Sequence, residues 1–140
     1  MRTLRETMNS LLELVKTFDG AVCFNYPDGK YFFANDYWLE LTKLKKEEVI
    51  GNRAFEFMSR ENALITREVE LEAIDKMVPI EYIRDVLITG TPLSYIGIKW
   101  VVPFQEVQPF FICTLADLVE NKERVLAFRK QVDSFFSKNE

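Results

Sequence analysis

Apolar positions along the chain follow a helical period at both ends and a strand period between them. Leu4, Met8, Leu11, Val15 and Phe18 recur at steps of four and three, with Arg5, Glu6, Glu13 and Lys16 off that stripe, which predicts an amphipathic helix from Thr3 to Phe18. Asp19-Gly20 breaks it. Ala21 to Tyr26 is then a β-rich run, Pro27-Asp28-Gly29 a turn, and Tyr31 to Ala34 the second arm of a hairpin. Asn35 is a good N-cap for a short helix in which Trp38, Leu41 and Leu44 share a face, and Lys46 to Ile50 forms a further helical turn stopped by Gly51. Ser59 opens a longer helix whose apolar band is Leu64, Ile65, Val69, Leu71 and Ile74, as far as Met77.

Pro79 ends that helix, and the pattern changes to strands at Ile80 to Ile88, Leu93 to Phe104 and Phe110 to Leu115, separated by turns at Thr89 to Pro92 and Gln105 to Gln108. In the middle strand Ile96, Ile98, Trp100, Val102 and Phe104 alternate with Tyr95, Gly97, Lys99, Val101 and Pro103. The first set marks a core face; the second is not very polar and needs a cover of its own. Leu118, Val125 and Val132, with Asn121, Phe128 and Phe135, occupy heptad positions in a C-terminal helix about three heptads long.

Composition narrows the function. The 140 residues, 48% apolar and 14% aromatic, suit one domain that folds alone. A net charge of -4 excludes a broadly basic nucleic-acid footprint, and no apolar run reaches the roughly 18 to 20 residues of a membrane span, so the expectation is a cytoplasmic protein with no direct nucleic-acid or membrane contact within this chain. There is no histidine, which removes Ser-His and Cys-His catalysis, His-ligated haem and nearly all catalytic zinc geometries. Cys23 and Cys113 stand 90 positions apart with no C-x-x-C pairing, and read as buried, reduced thiols. The acids of Asp19 to Gly29 and Glu47-Glu48 lie at a helix end, a turn and a solvated face, so no metal or acid/base cluster is expected there.

Helix, hairpin, short helices and a three-strand meander describe one antiparallel sheet with helices on one face, an α+β arrangement. Within it, "GAVCFNYPDGKYFFAN" from Gly20 to Asn35 and "DYWLELTKLKKEEVIG" up to Gly51 resemble the PAS family, with Leu41-Thr42-Lys43 in place of L-T-G and Leu115-Ala116-Asp117-Leu118 in place of the closing D-I-T. The resemblance implies a five-stranded antiparallel sheet over residues 19–119, flanked by an amphipathic helix at 1–18 and a linker helix at 120–140. It also separates this chain from the cofactor-binding branches. Gly51-Asn52-Arg53-Ala54-Phe55-Glu56-Phe57 has no thiol where the flavin branch has its reactive Cys, the haem branch needs an axial His, and the photoactive yellow branch needs a Cys around Phe57 to Arg60. Neither haem nor a flavin adduct is expected; the pattern leaves open a small organic ligand or none.

The family's cavity lies between the inner sheet face and the short helices. Its expected lining is Val22 and Phe24 on the first strand, Trp38 and Leu41 on the first short helix, Arg84 on the third strand, and Ile98, Trp100 and Val102 on the fourth, unless these simply pack as core. A Trp buries roughly 150 to 250 Å², enough to fill much of such a space. Arg84 falls on the more apolar alternation of its strand, with Ile80, Tyr82, Val86 and Ile88. An inward guanidinium needs a counter-ion, either a ligand carboxylate held bidentately or an internal Asp or Glu; a shifted strand phase would instead expose it.

The flanking helices carry the expected dimer seam: Leu4, Met8, Leu11, Val15 and Phe18 on the first, Val125, Phe128 and Val132 on the last, the alternative being helices packed on their own domain. The function expected is a non-catalytic regulatory PAS module, sensing a signal and homodimerising, whose effector (DNA-binding, kinase or cyclic-dinucleotide enzyme) lies outside these residues. A stand-alone binding protein for an acidic metabolite is the alternative. An isomerase-like enzyme would need a cavity-facing carboxylate pair that the pattern does not supply.

Overall fold

The computed structural model describes residues 3–88, 91–104 and 107–139, and among them all side chains except those of Leu4, 86–88, 91–93, 103–104, 107–110 and 135–139. Helix α1 (Leu4–Val15) starts where the Thr3 hydroxyl accepts the Glu6 N–H at 3.1 Å, and ends as the Lys16 N–H turns back to the Leu12 carbonyl. It is followed by a hairpin of β1 (Ala21–Asn25) and β2 (Tyr31–Ala34). Asn35 does more than cap α2 (Asp36–Thr42): its Oδ1 accepts from the N–H groups of both Trp38 and Val22 at 3.0 Å, and its amide donates to the Gly20 carbonyl at 2.8 Å, tying helix to strand. Lys43 ends α2 at φ 61°, a left-handed position that the PAS pattern gives to glycine. Then come α3 (Lys46–Val49), a 3₁₀ turn (Ala54–Glu56) and α4 (Arg60–Lys76), capped by the Ser59 hydroxyl.

The remaining elements are β3 (Ile80–Ile88), β4 (Thr91–Phe104), β5 (Val107–Leu118) and α5 (Lys122–Asn139). All pairings are antiparallel, in the order β2-β1-β5-β4-β3, so the expected α+β architecture with five strands and flanking helices is present. Among the described residues no helix is long and apolar enough to cross a membrane.

The central strands β1 and β4 are buried on both faces, β4 over residues 95–102. On one lie α1 and α5, and there Leu11, Val15 and Phe18 meet Val125, Phe128 and Val132 over Val22, Phe24, Ile98, Trp100 and Val102, all at most 6% exposed. The Phe18 and Phe128 rings stack at 4.7 Å. Full burial of such side chains stabilises by about 1.5 to 3 kcal/mol each, so the six helix residues contribute on the order of 10 kcal/mol before entropy, comparable with a domain's whole net stability.

This corrects the expected seam. Leu11, Val15, Phe18, Val125, Phe128 and Val132 are used inside the chain's own core, because the large apolar face of the sheet needs a cover and these helices provide it. Met8 packs partly buried against the same cluster, and the Leu4 side chain lies outside the described residues.

A second correction concerns α4. Its buried positions are Ala63, Thr66, Glu70 and Ala73, while Leu64, Ile65 and Leu71 of the expected band are 40–49% exposed. The helix lies on the other sheet face, where small and polar side chains are required.

Candidate functional site

Between that face and helices α2 and α4 is a cavity of about 120 Å³. Strand register builds its floor in rows. Ala21 pairs with Ala116, Ala116 with Gly97 and Gly97 with Tyr82, a row of minimal side chains ending in a phenol; Cys23, Thr114 and Lys99 form the next. Gly97 is required here: a Cβ on it would stand 2.2 Å from Tyr82 Cζ and 2.4 Å from its hydroxyl, so the tyrosine ring lies directly across the bare backbone. Tyr95 and Arg84, themselves a register pair, extend the floor, while Trp38, Leu41, Thr42, Met58, Thr66 and Tyr31 complete the lining. Tyr31, Trp38 and Phe57 hold one another edge-on or tilted at 5.2–6.2 Å, which fixes the Trp38 ring to one side and leaves the space open rather than filled.

The structure therefore places Trp38, Leu41 and Arg84 at the cavity, and five other expected residues away from it. Val22, Phe24, Ile98, Trp100 and Val102 point to the opposite face, beneath α1 and α5. The physical reason is that the most apolar alternation marks the face that is packed solid, whereas a cavity needs alanine, glycine and hydrogen-bonding side chains. Tyr95, Gly97 and Lys99 fall in the alternation expected on the outer face, and Thr114, which carried no expectation, joins them at the cavity. Their signal was a lone lysine in the middle of a long apolar strand.

Lys99 is 3% exposed and donates to the Thr114 hydroxyl at 2.7 Å, with the Glu70 carboxylate 3.8 Å away. Burial opposes its charge, but Tyr82, Glu70 and Cys23 outweigh it and lift its pKa above the ordinary lysine value. Glu70, 2% exposed, also accepts from Asn25 at 2.9 Å and from Arg67 at 3.1 Å. Arg84 differs. It donates to the Thr66 hydroxyl at 3.0 Å and lies 5.8 Å from the Tyr82 ring centre, its Nε is buried without an acceptor, and no carboxylate of the described residues is within 4.0 Å of it.

The thiols of Cys23 and Cys113 are both buried, and burial pushes their pKa values up, that of Cys113 strongly. They lie on opposite faces, Cys23 on the cavity lining and Cys113 in the packed core. Among the described residues no group of three or more Cys, Asp or Glu is placed to hold a metal.

A hydrogen-bonded link leaves the cavity toward α5. Tyr37, next to Trp38, donates to Asp117 Oδ1 at 3.2 Å; Asp117 is fully buried at the end of β5, and its other oxygen accepts from Arg124 of α5. Arg124 also donates to the Asp19 carbonyl at 3.2 Å, after α1.

A five-stranded antiparallel sheet of this order, with short helices enclosing a cavity on one face and terminal helices on the other, is a PAS fold. Among solved structures, the PAS domain of Bordetella pertussis BvgS is similar at a TM-score of 0.72 and 16% identity, over 92% of this chain and 98% of that one. The Vibrio cholerae VqmA dimer is similar at 0.68 and 18%, over 84% of this chain and 53% of that one. A sensory box sensor histidine kinase from Vibrio cholerae is similar at 0.60 and 14%, over 81% and 91%. This chain thus spans about half of VqmA and nearly all of the other two. No family model matches the chain, and no curated protein matches it in sequence.

Proposed function

We propose that this chain is a non-catalytic regulatory PAS module that senses a small ligand in the cavity between its sheet and α2 and α4, and passes the signal to an effector through α5. The observation that carries this reading is the continuous link from the cavity wall at Trp38 through Tyr37 and Asp117 to Arg124. A ligand that moves α2 changes the hydrogen bond on Asp117, and with it the seat of α5. The similar structures support the setting, since one is a sensor histidine kinase and another a LuxR-type receptor with a DNA target. The effector in this reading is a DNA-binding, kinase or cyclic-dinucleotide domain, the first two of which have counterparts among the similar structures. Homodimerisation fits the same picture, VqmA being described as a dimer; sedimentation of this chain tests it.

The sensing reading is tested by titrating a small-fragment library into ¹⁵N-labelled protein. Shift changes should run from cavity residues through Asp117 into α5, and Asp117→Asn should confine them to the cavity. Binding that never reaches α5, or that maps elsewhere, would overturn it.

A further inference from the structure

We infer that the cavity takes a small monocarboxylate with a short apolar or aromatic tail, its head held by Arg84 and Lys99. This rests on the reading of the cavity as a sensing site and adds the chemistry of the ligand.

The inference comes from an imbalance of charge. Three cations, Arg67, Arg84 and Lys99, surround this region; Glu70 is the carboxylate that Arg67 and Lys99 share, and Arg84 has no carboxylate of the described residues within 4.0 Å. Glu70 is already engaged on both oxygens, by Arg67 on one and by Asn25, with Lys99 beyond, on the other. Arg84 is left with a neutral hydroxyl on one amino group and a buried, unpartnered Nε. A buried charge-bearing group without an acceptor is costly, and a carboxylate is the acceptor whose two oxygens match the guanidinium fork.

Lys99 supplies the second point of attachment. Its ammonium has three protons, of which Thr114 takes one at 2.7 Å, and the 3.8 Å separation from Glu70 exceeds hydrogen-bond length. Arg84 and Lys99 both line the cavity, on neighbouring strands, and are near enough for the Arg84 charge to act against that of Lys99. An anion between them removes that repulsion.

Size and lining set the rest of the ligand. The remaining wall at Trp38, Leu41, Met58 and Tyr95 is apolar or aromatic. Since an apolar cavity of about 150 Å³ accommodates benzene, 120 Å³ suits a ligand of similar size. One carboxylate is satisfied by the two free cationic donors; a second would face the apolar wall.

The test is thermal denaturation of the wild type and Arg84→Gln with sodium propionate, butyrate, valerate, hexanoate and benzoate, each against its neutral amide. At least one acid should raise the wild-type Tm, by roughly 8 °C at 100 times its Kd. Its amide should shift Tm far less, and Arg84→Gln should lose most of the shift. Should Arg84→Gln fold poorly, ¹⁵N spectra of the wild type give the same answer: the acid must move the Arg84 Nε–H resonance. Equal shifts by acid and amide would overturn the anion while leaving cavity sensing intact. An acid that stabilises both proteins alike, or leaves the Nε–H signal unmoved, would overturn the role of Arg84, and a panel in which no acid acts would overturn the inference. The fragment titration above decides separately whether the cavity senses anything.

Discussion

Glu70→Gln should destabilise the domain far more than Lys99→Met, although the two remove opposite ends of one contact. At 3.8 Å and an effective dielectric near 20, the Lys99–Glu70 attraction is about 4 kcal/mol before desolvation. What decides the outcome is the partner left behind. Without Glu70, Lys99 remains 3% exposed with the Thr114 hydroxyl as its surviving hydrogen bond, an uncompensated buried charge that costs about 3 to 5 kcal/mol. Without Lys99, Glu70 keeps Arg67 at 3.1 Å and Asn25 at 2.9 Å, and the loss is about 1 kcal/mol. Arg67 adds little to the cost of losing Glu70, since its side chain is 28% exposed and water replaces the lost partner. The double variant should recover most of the loss, because the stranded ammonium is gone. Urea unfolding at constant m-value measures all three. Equal losses in the two single variants, or a double variant additive within about 0.5 kcal/mol, would refute the argument.

The order of the elements and most of their stops are legible because their causes are local; the exceptions are the strand ends around the two late turns, where β4 already begins at Thr91 and β5 runs Val107–Leu118, residues 89–90 and 105–106 lying outside the described ones. The Asn35 and Ser59 caps, the Pro27-Asp28-Gly29 turn and the inward phase of Arg84 each follow from a few neighbouring residues. What could not be read locally was which face of β1 and β4 borders the cavity. Burial on both faces erases the inside-outside contrast on which alternation depends, and Val22, Phe24, Ile98, Trp100 and Val102 were assigned to the wrong side. The register exposes the inconsistency, since Arg84 sits opposite Tyr95 and so shares a face with Gly97 and Lys99 rather than with Ile98. α4 fails for a related reason: its sheet-facing residues are Ala63, Thr66, Glu70 and Ala73, which no hydrophobic periodicity selects. Glu70 and Lys99 stand 29 positions apart in the chain, and only the fold brings them together.

Two further outcomes follow from the same burial. Leu11→Asp with Val15→Asp should abolish the fold rather than dissociate a folded dimer, because both side chains are at most 2% exposed beneath the chain's own α5; a native circular dichroism spectrum in that variant would return these residues to a subunit seam. Stability should also fall as pH rises past 9, where the unfolded thiols begin to ionise. Burial raises the folded pKa values of Cys23, Cys113 and Tyr31, and Lys99 is raised through its neighbours, so the native state holds more protons than the unfolded one throughout the alkaline range. With more protons bound in the folded state, the slope of unfolding free energy against pH is negative. The thiols act first, from their ordinary value of 9.0, followed by Tyr31 from 10.0 and Lys99 from 10.5. Cys23→Ala with Cys113→Ala should therefore flatten the decline between pH 9 and 10 while leaving the steeper fall above it, as followed by urea midpoints across that range. A decline of unchanged slope in the double variant would show that the thiols ionise as readily in the folded protein as in the unfolded chain, and would contradict their burial.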